Sequence, residues 1–474
     1  MALALGGLLI FEYFVQLSDG TRGPHLTQAW TIQHGDARSG TNLSGSRPDP
    51  HLDRFPSSSD SVGMPLSVTF DHQVFLPLVR RTGLMTEARA LWVTRWDYST
   101  ITDVRMLVEN ASQARFNMLL FQVRGTADAF YSPGLEPWGA QLSGGTLGED
   151  PGWDPLQTAI EAAHARDLEL HAYINAYPVW AGQRAPPTAT VPQHLFWTLS
   201  YSYTWDDWRV VNSDGVTMTL RKSYLWATPA LTDVVDRIVS VATDLVSRYD
   251  VDGIHLDLVR YPGRDTSYDP FSNAGYEAAL AREPDLTRAE WQRRQVTHLV
   301  NRVYSEAILP RSGLDLSGGS LASSGQIRPP SLRLSAAVWP IYQDHWGWGY
   351  KAGYSDFYQD SQGWVQSGTI DAIMPMLYTG MFISYPNALT PTQFSLVASD
   401  FLAHDGGRHV FPGISAENLD FAGIAERIAI ARDLGAPGHA IFSAGVLAQK
   451  GYWDELATGL YATPAAIPPI DWRP

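Results

Sequence analysis

The chain contains no cysteine. Thiol nucleophiles, zinc–thiolate centres and disulfides are therefore excluded, while the compartment stays open. Positive charge is scarce: 34 Lys and Arg stand against 49 Asp and Glu, for a net charge of -15. Nucleic acid and anionic membrane surfaces both call for a basic face, so neither is expected as a partner. Three motifs are also missing. No glycine-rich phosphate loop follows the first strand, and no GxSxG elbow supports a serine hydrolase. His255 and Asp257 are two apart, but no HxH or HExxH accompanies them, so no metal or other cofactor is expected. Long apolar runs are lacking too. Residues 1–17, MALALGGLLIFEYFVQL, are interrupted by Glu12, are short for a membrane span and lack a basic start. They read as the remains of an export signal, which places the protein outside the cytoplasm. The plain alternative is a short element that packs on the body.

What is abundant is aromatic: 17 Trp and 21 Tyr. Rings near polar loops offer flat faces for sugars, although core packing claims a large share of them. Residues 18–67 are rich in Ser, Gly, Asp, Pro and His and read as a polar arm. The expected organisation is an N-terminal apolar segment and arm over 1–87, a catalytic body over 88–463 and a tail over 464–474. Within the body, apolar strands alternate with helical stretches. ALWVTRW, FNMLLFQVR, LELHAYINAY, VDGIHLDLVRY, LRLSAAVWP, DAIMPMLYT, HVFPGISA and HAIFSAG are the eight strands in order. Stretches such as TDVVDRIVSVATDLVSRYD, with an apolar period near 3.6, separate them. Eight such units predict a (β/α)8 barrel with long βα loops rather than a doubly wound open sheet.

The fourth strand organises the rest. In 251–263, VDGIHLDLVRYPG, Ile254, Leu256 and Leu258 share one face and His255 and Asp257 the other. The strand ends in Arg260 and a Tyr-Pro-Gly turn. Other strands end in the same polar way: Arg124 after the second, His171, Tyr173 and Asn175 on one face of the third, Trp339 after the fifth, Tyr378 after the sixth and Glu417 after the seventh. A barrel enzyme places such residues at its C-terminal mouth. Each alone could be a satisfied hydrogen-bonded layer; together they form a candidate substrate groove. Glycoside hydrolysis uses two carboxyls, one to protonate the leaving oxygen and one to attack or to activate water. Asp257 is the first candidate, expected to be ionised and held so by His255 and Arg260. Glu417 is the second, expected to be the acid, with Glu136 and Asp344 as rivals. The aromatic segment 178–226, with Trp180 among its rings, is a candidate sugar platform, and packing between loops is the competing account.

Several stretches, FNMLLFQVRGTADAFY, EPWGAQLSG, DPLQTAIEAAHARDLELHAYINAY, YDVDGIHLDLVRYPG and YQDSQGWVQSGTIDAIMPMLYTG, together resemble the glycosyl-hydrolase-like family ten proteins of the bacterial envelope. The resemblance covers about residues 88–445. It implies a (β/α)8 barrel and, from characterised relatives, cleavage of peptidoglycan glycan strands. It matches Asp257 to the acidic residue that ends strand four in the family, and Arg124, His171, Asn175, Arg260 and Tyr378 to polar positions of its groove. The expected partner is thus a polysaccharide, and the rival reading is a glycan-binding barrel without catalysis.

Overall fold

Residues 85–203, 207–311, 332–378 and 389–473 are described by a computed structural model. The apolar segment and polar arm expected over 1–87 therefore lie outside the described residues, except for the last three.

The strands form where the alternation is buried on both sides. β1 is Ala88–Val93, β2 Met118–Arg124, β3 Glu169–Asn175, β4 Gly253–Asp257, β5 Arg333–Val338 and β6 Ala372–Pro375. The seventh stretch is split by Phe411 and Pro412 into β7, His409–Val410, and β8, Gly413–Ser415; β9 is Gly438–Phe442. All pairings among these nine segments are parallel, in the order β7-β6-β5-β4-β3-β2-β1-β9-β8. The two ends of that order are the two halves of one stretch, and a further bridge joins Met376 to Gly413. The sheet thus closes on itself as the expected eight-unit barrel.

Helices occupy the connections, and their ends are written in the sequence. Ile101–Gln113 opens with a capping box between Thr100 and Asp103. Pro155–His164 starts with Asp154 as cap and Pro at its first position, where no N–H is needed. Thr232–Arg248 buries Val234, Ile238, Val241, Ala242 and Leu245 along one stripe against the barrel wall. The long loop after β3 carries an antiparallel ribbon, Pro178–Gly182 with Arg221–Trp226, and a helix, Leu195–Ser202.

Two apolar sets separate by face. Leu91, Val93, Leu119, Phe121, Ile254 and Leu256 pack outward against the helices. Ala90, Trp92, Leu120, Tyr173, Met374, Tyr378, Phe411 and Ala440 fill the interior. The tail returns beneath the barrel: Ala465–Ala466 pairs with Met85–Thr86, Pro468 accepts from Arg333 and Trp472 donates to Asp371. These contacts leave the opposite, C-terminal end for chemistry.

Candidate active site

Inside the barrel the polar residues fall into levels. At the lowest, Arg333 lies 3.3 Å from Glu169, and His171 one step up shares a hydrogen with the same carboxylate at 3.2 Å. His171 fits there because its strand neighbour is Gly253. A Cβ at that position would sit 2.7 Å from the His171 ring and 2.8 Å from the Arg333 carbonyl. His171 is thus part of the barrel's packed interior, below the mouth.

Above it, Trp92 and His255 meet across the lumen from β1 and β4. Trp92 donates its indole N–H to His255 Nε2 at 3.0 Å, which leaves Nδ1–H to donate to Ser335 Oγ at 2.9 Å. Both ring nitrogens are therefore occupied. Burial and the nearby His171 hold the imidazole far below its ordinary pKa, so it is neutral. His255 does not reach Asp257 directly. It packs edge-on against Tyr173, with centroids 5.4 Å apart, and so fixes the ring that does.

Asp257 sits at the top of this stack. Tyr173 donates its hydroxyl to Oδ2 at 2.7 Å, and the Leu258 N–H donates to Oδ1 at 2.5 Å. Leu258 has φ +52°, a left-handed conformation that costs a leucine about 1–3 kcal/mol and turns the chain sharply after the carboxylate. Burial pushes the Asp257 carboxyl above its ordinary pKa; Tyr173, Arg260 and the Leu258 N–H act the other way without cancelling it. The expectation of a carboxyl held ionised by His255 and Arg260 is thus reversed in direction, because the neutral imidazole supplies no charge and the desolvation dominates. Trp92, Tyr378 and Phe442 wall the same space, with Trp92 6.2 Å from each of the other two rings. The Asp257 charge raises the Tyr378 hydroxyl as well, after burial, which places the two in one electrostatic neighbourhood.

Other expected groove residues serve as walls. Arg124 grips Glu136 through two 2.8 Å bonds and also donates to the carbonyls of Asn175 and Ala176, which fixes the end of β3. That ion pair also accounts for Glu136. Arg260 lies over Trp226, Trp339 and Phe357 at 5.5, 5.1 and 5.1 Å, a cationic plug in an aromatic box. Asn175 donates to the Gly125 carbonyl at 3.0 Å, while its buried Oδ1 has no partner. Of the aromatic segment, Trp197, Trp208 and Trp226 are buried, and Phe196 packs edge-on against both Trp197 and Trp208. Trp180 is half-buried and donates to the Arg184 carbonyl. Trp205 lies outside the described residues. Packing accounts for the three buried tryptophans, while Tyr201 is 64% exposed and stacks on Trp197. A second set of half-buried rings is Trp346 and Trp348, stacked at 4.7 Å in the loop after β5, where Asp344 caps the turn.

Glu417 is exposed on the loop after β8. Its N–H donates to Ser415, and Lys450 binds the carbonyls of Ala416, Glu417 and Leu419. The protein around it raises its carboxyl pKa, with Lys450 opposing. Among the described residues no hydrogen bond links Glu417 to the Asp257 network.

Three residues at this end went unnoticed in the sequence: Arg95, Asp97 and Tyr224. Asp97 accepts from the Thr94 N–H at 2.7 Å, and burial raises its pKa to about 6. Arg95 donates to the Tyr224 hydroxyl at 3.3 Å. The signal was available, because β1 also turns polar at its end, in Thr94-Arg95-Trp96-Asp97, as β4 does.

This architecture is shared with known glycosidases. The barrel superimposes with a TM-score of 0.52 on the catalytic domain of a beta-amylase from Paenibacillus polymyxa, covering 77% of this chain and 94% of that domain at 10% identity. It superimposes equally, at 0.52, on the PgaB (BpsB) glycoside hydrolase domain from Bordetella bronchiseptica, covering 78% and 98% at 12% identity. These likenesses concern the fold. In sequence, the chain is 25% identical to the glycosyl hydrolase YngK of Bacillus subtilis (strain 168), over 84% of this chain and 76% of that protein. It is 26% identical to the glycosyl hydrolase DigH of Escherichia coli (strain K12), over 57% of this chain and 56% of that protein. The family model Glycosyl hydrolase-like 10 matches residues 87–395, which hold β1 to β6 with Tyr173, His255 and Asp257, and the chain belongs to that family.

Proposed function

We propose that this protein hydrolyses O-glycosidic bonds of a polysaccharide outside the cytoplasm, with the glycan strands of peptidoglycan as its substrate. The observation that carries the reading is Asp257: a half-buried carboxyl at the C-terminal end of a barrel strand, walled by aromatic rings, bonded by one tyrosine hydroxyl and shifted toward its protonated form. A carboxyl so placed can give its proton to the leaving glycosidic oxygen, and Tyr173 then stabilises the carboxylate that remains. Hydrolysis needs a second carboxyl, as nucleophile or as base for water. Glu417 takes that part: it is solvent-exposed and follows β8, and the Lys450 charge favours its ionised form against the upward shift from its surroundings. The family supports the reaction class, and the resemblance to envelope relatives supports the substrate.

The test is release of new reducing ends from peptide-free cell-wall glycan and from neutral polysaccharides. Asp257→Asn keeps the shape and removes the transferable proton, so turnover should fall by roughly two to five orders of magnitude with an unchanged circular dichroism spectrum. Glu417→Gln should fall by roughly two orders or more. Full activity in Asp257→Asn refutes the assignment. Tight glycan binding by the wild type with no release from any polysaccharide converts the reading to a binding barrel.

A further inference from the structure

Arg95 follows β1 and is only 3% exposed. Its backbone N–H donates to Gln122, which pins the residue at the mouth. Its guanidinium rests on Gly125, where a Cβ would lie 2.4–2.8 Å from three of its atoms. Trp96 stacks on it at 4.8 Å and Tyr224 at 5.9 Å. Of the five N–H groups of an arginine, one finds an acceptor, the Tyr224 hydroxyl at 3.3 Å. Among the described residues, the buried Nε donates to nothing and Nη1 has no acceptor. Among the described residues no carboxylate forms an ion pair with it; Asp128 acts on it electrostatically, but accepts its own bonds from Thr126.

An arginine in that state is out of place unless something else completes it, because a buried charge without a partner is strongly unfavourable. Arg95 lies beside the site already described. Tyr173, the donor to Asp257, is among the groups whose charge Arg95 feels. Gly125, on which the guanidinium lies, holds Asn175 through its carbonyl, and Asn175 pairs in register with Asp257. The buried Asn175 Oδ1 is an acceptor without a donor. Among the described residues a planar donor and a lone acceptor thus both lie against Gly125, and the acceptor's residue is the strand neighbour of Asp257.

We infer that Arg95 recognises a carboxylate carried by the sugar at the cleavage site, with Asn175 Oδ1 accepting from a hydroxyl of the same ring, so that the substrate is an acidic glycan. The inference rests on the hydrolase reading only for the location of the site; carboxylate recognition is a binding property and is tested as one. The planar fork of arginine suits a carboxylate through two parallel bonds, which a lysine cannot form. Two sources carry such a group in polysaccharides: a lactyl ether on an amino sugar, and the C6 carboxylate of a uronic acid.

The experiment is calorimetric binding to the full chain of three probes: peptide-free cell-wall oligosaccharide, the same oligosaccharide with its carboxyls reduced to alcohols, and oligogalacturonate. Wild type should bind at least one acidic probe, and at least tenfold more tightly than the reduced one. Arg95→Met should bind the reduced probe as wild type does and lose the preference for the acidic one. Arg95→Lys should retain part of it. Because Arg95→Met removes a buried unpaired charge, its melting temperature should equal or exceed that of wild type, whereas a merely structural arginine would lower it. Preference for the cell-wall oligosaccharide assigns the lactyl source, and preference for oligogalacturonate the uronic one. Equal wild-type affinity for the native and reduced probes, binding of neither acidic probe, or an equal loss on both probes in Arg95→Met overturns the inference. Carboxylate-dependent binding without any hydrolysis would uphold it while sinking the catalytic reading.

Discussion

Strand β1 carries the same pair of residue types at both ends, in opposite states. Before and within it lie Glu87 and Arg89; after it lie Arg95 and Asp97. At the lower end Glu87 accepts from Arg89 at 2.7 Å and from Arg432 at 2.6 and 2.9 Å, with His439 3.7 Å away. Burial alone would raise its carboxyl, yet the bonds from Arg432 and Arg89 outweigh it, with the nearby His439 acting in the same direction, and bring the pKa down to about 2. At the upper end Asp97 has backbone donors but no cation bonded to it, and its pKa rises to about 6. Arg89 is paired and Arg95 is not. Burial is similar for the two arginines, so burial does not decide the outcome; pairing does. The lower end repeats the pattern at Asp371, which accepts from Leu334, Tyr304, Trp472 and Arg473. Arg408, stacked on Trp472 at 4.6 Å, is the exception there. Along β1, then, the lower charges are closed and the upper ones open, which sets stability and chemistry at opposite ends of the strand.

Breaking the closed end should cost stability and little else. Glu87→Gln leaves the buried Arg89 and the half-buried Arg432 without their carboxylate, and removal of one partner from a buried ion pair costs about 3–5 kcal/mol. The denaturation midpoint in urea should drop accordingly, while turnover per folded molecule stays at the wild-type level. The pH sense is set by the lowered pKa. The Glu87 contribution is full above the ordinary glutamate value and is lost as pH falls toward about 2. Activity loss without any shift in midpoint would erase the contrast between the two ends.

Loosening the open end should do the reverse. Tyr173→Phe keeps the ring that packs on His255 and deletes the hydroxyl that donates to Asp257. A hydrogen bond to a charged group contributes about 1.5–3 kcal/mol, so turnover should fall by roughly 10- to 100-fold. The hydroxyl favours the ionised carboxyl, so its loss raises the Asp257 pKa further. Activity that depends on protonated Asp257 then persists to higher pH, and the alkaline limb of the rate profile moves up. A limb that stays in place, measured over the stable range, would remove Asp257 from the role of proton donor.

The barrel was legible because two periods are written plainly: alternation in the strands, and a 3.6-residue stripe with Ser, Thr or Asp caps in helices such as 101–113 and 155–164. The face carrying His255 and Asp257 followed from the same alternation. What each polar residue does there was not legible, since it depends on partners far away in the chain. His255 is neutral because the fold buries it near His171, and its Nε2 takes a bond from Trp92, 163 residues earlier. Arg124 looks identical to Arg95 on paper, and only Glu136 in the folded loop distinguishes the closed arginine from the open one. The aromatic segment left both accounts open for a physical reason: a ring that could face sugar has the same composition signature as one that packs on its neighbour, and Trp208 and Trp197 do the latter. The mouth of β1 was overlooked although its sequence turns polar as that of β4 does.

The smallest effect belongs to Asp97 and tests the contrast most directly, since it should have the sign opposite to that of Glu87. Its folded pKa of about 6 lies above the ordinary aspartate value near 3.8. Between those two values the folded protein holds a proton that the unfolded chain has released, so stability falls as pH rises through the window and levels off above about 6. Thr94 and Gly445 backbone bonds favour the ionised form and limit the shift, and the group keeps some access to solvent, which leaves about 1–3 kcal/mol. An asparagine side chain cannot ionise, so Asp97→Asn escapes this penalty. A constant offset from the altered bond to the Thr94 N–H adds to every pH equally. The melting temperature of Asp97→Asn relative to wild type should therefore climb from about pH 4 to about pH 6 and then stay flat to about pH 7. For Glu87→Gln the relative stability should instead recover as pH falls below about 4.5, because wild type loses its advantage there. If the two difference curves run in the same direction, the carboxyls at the two ends of β1 are not electrostatic opposites.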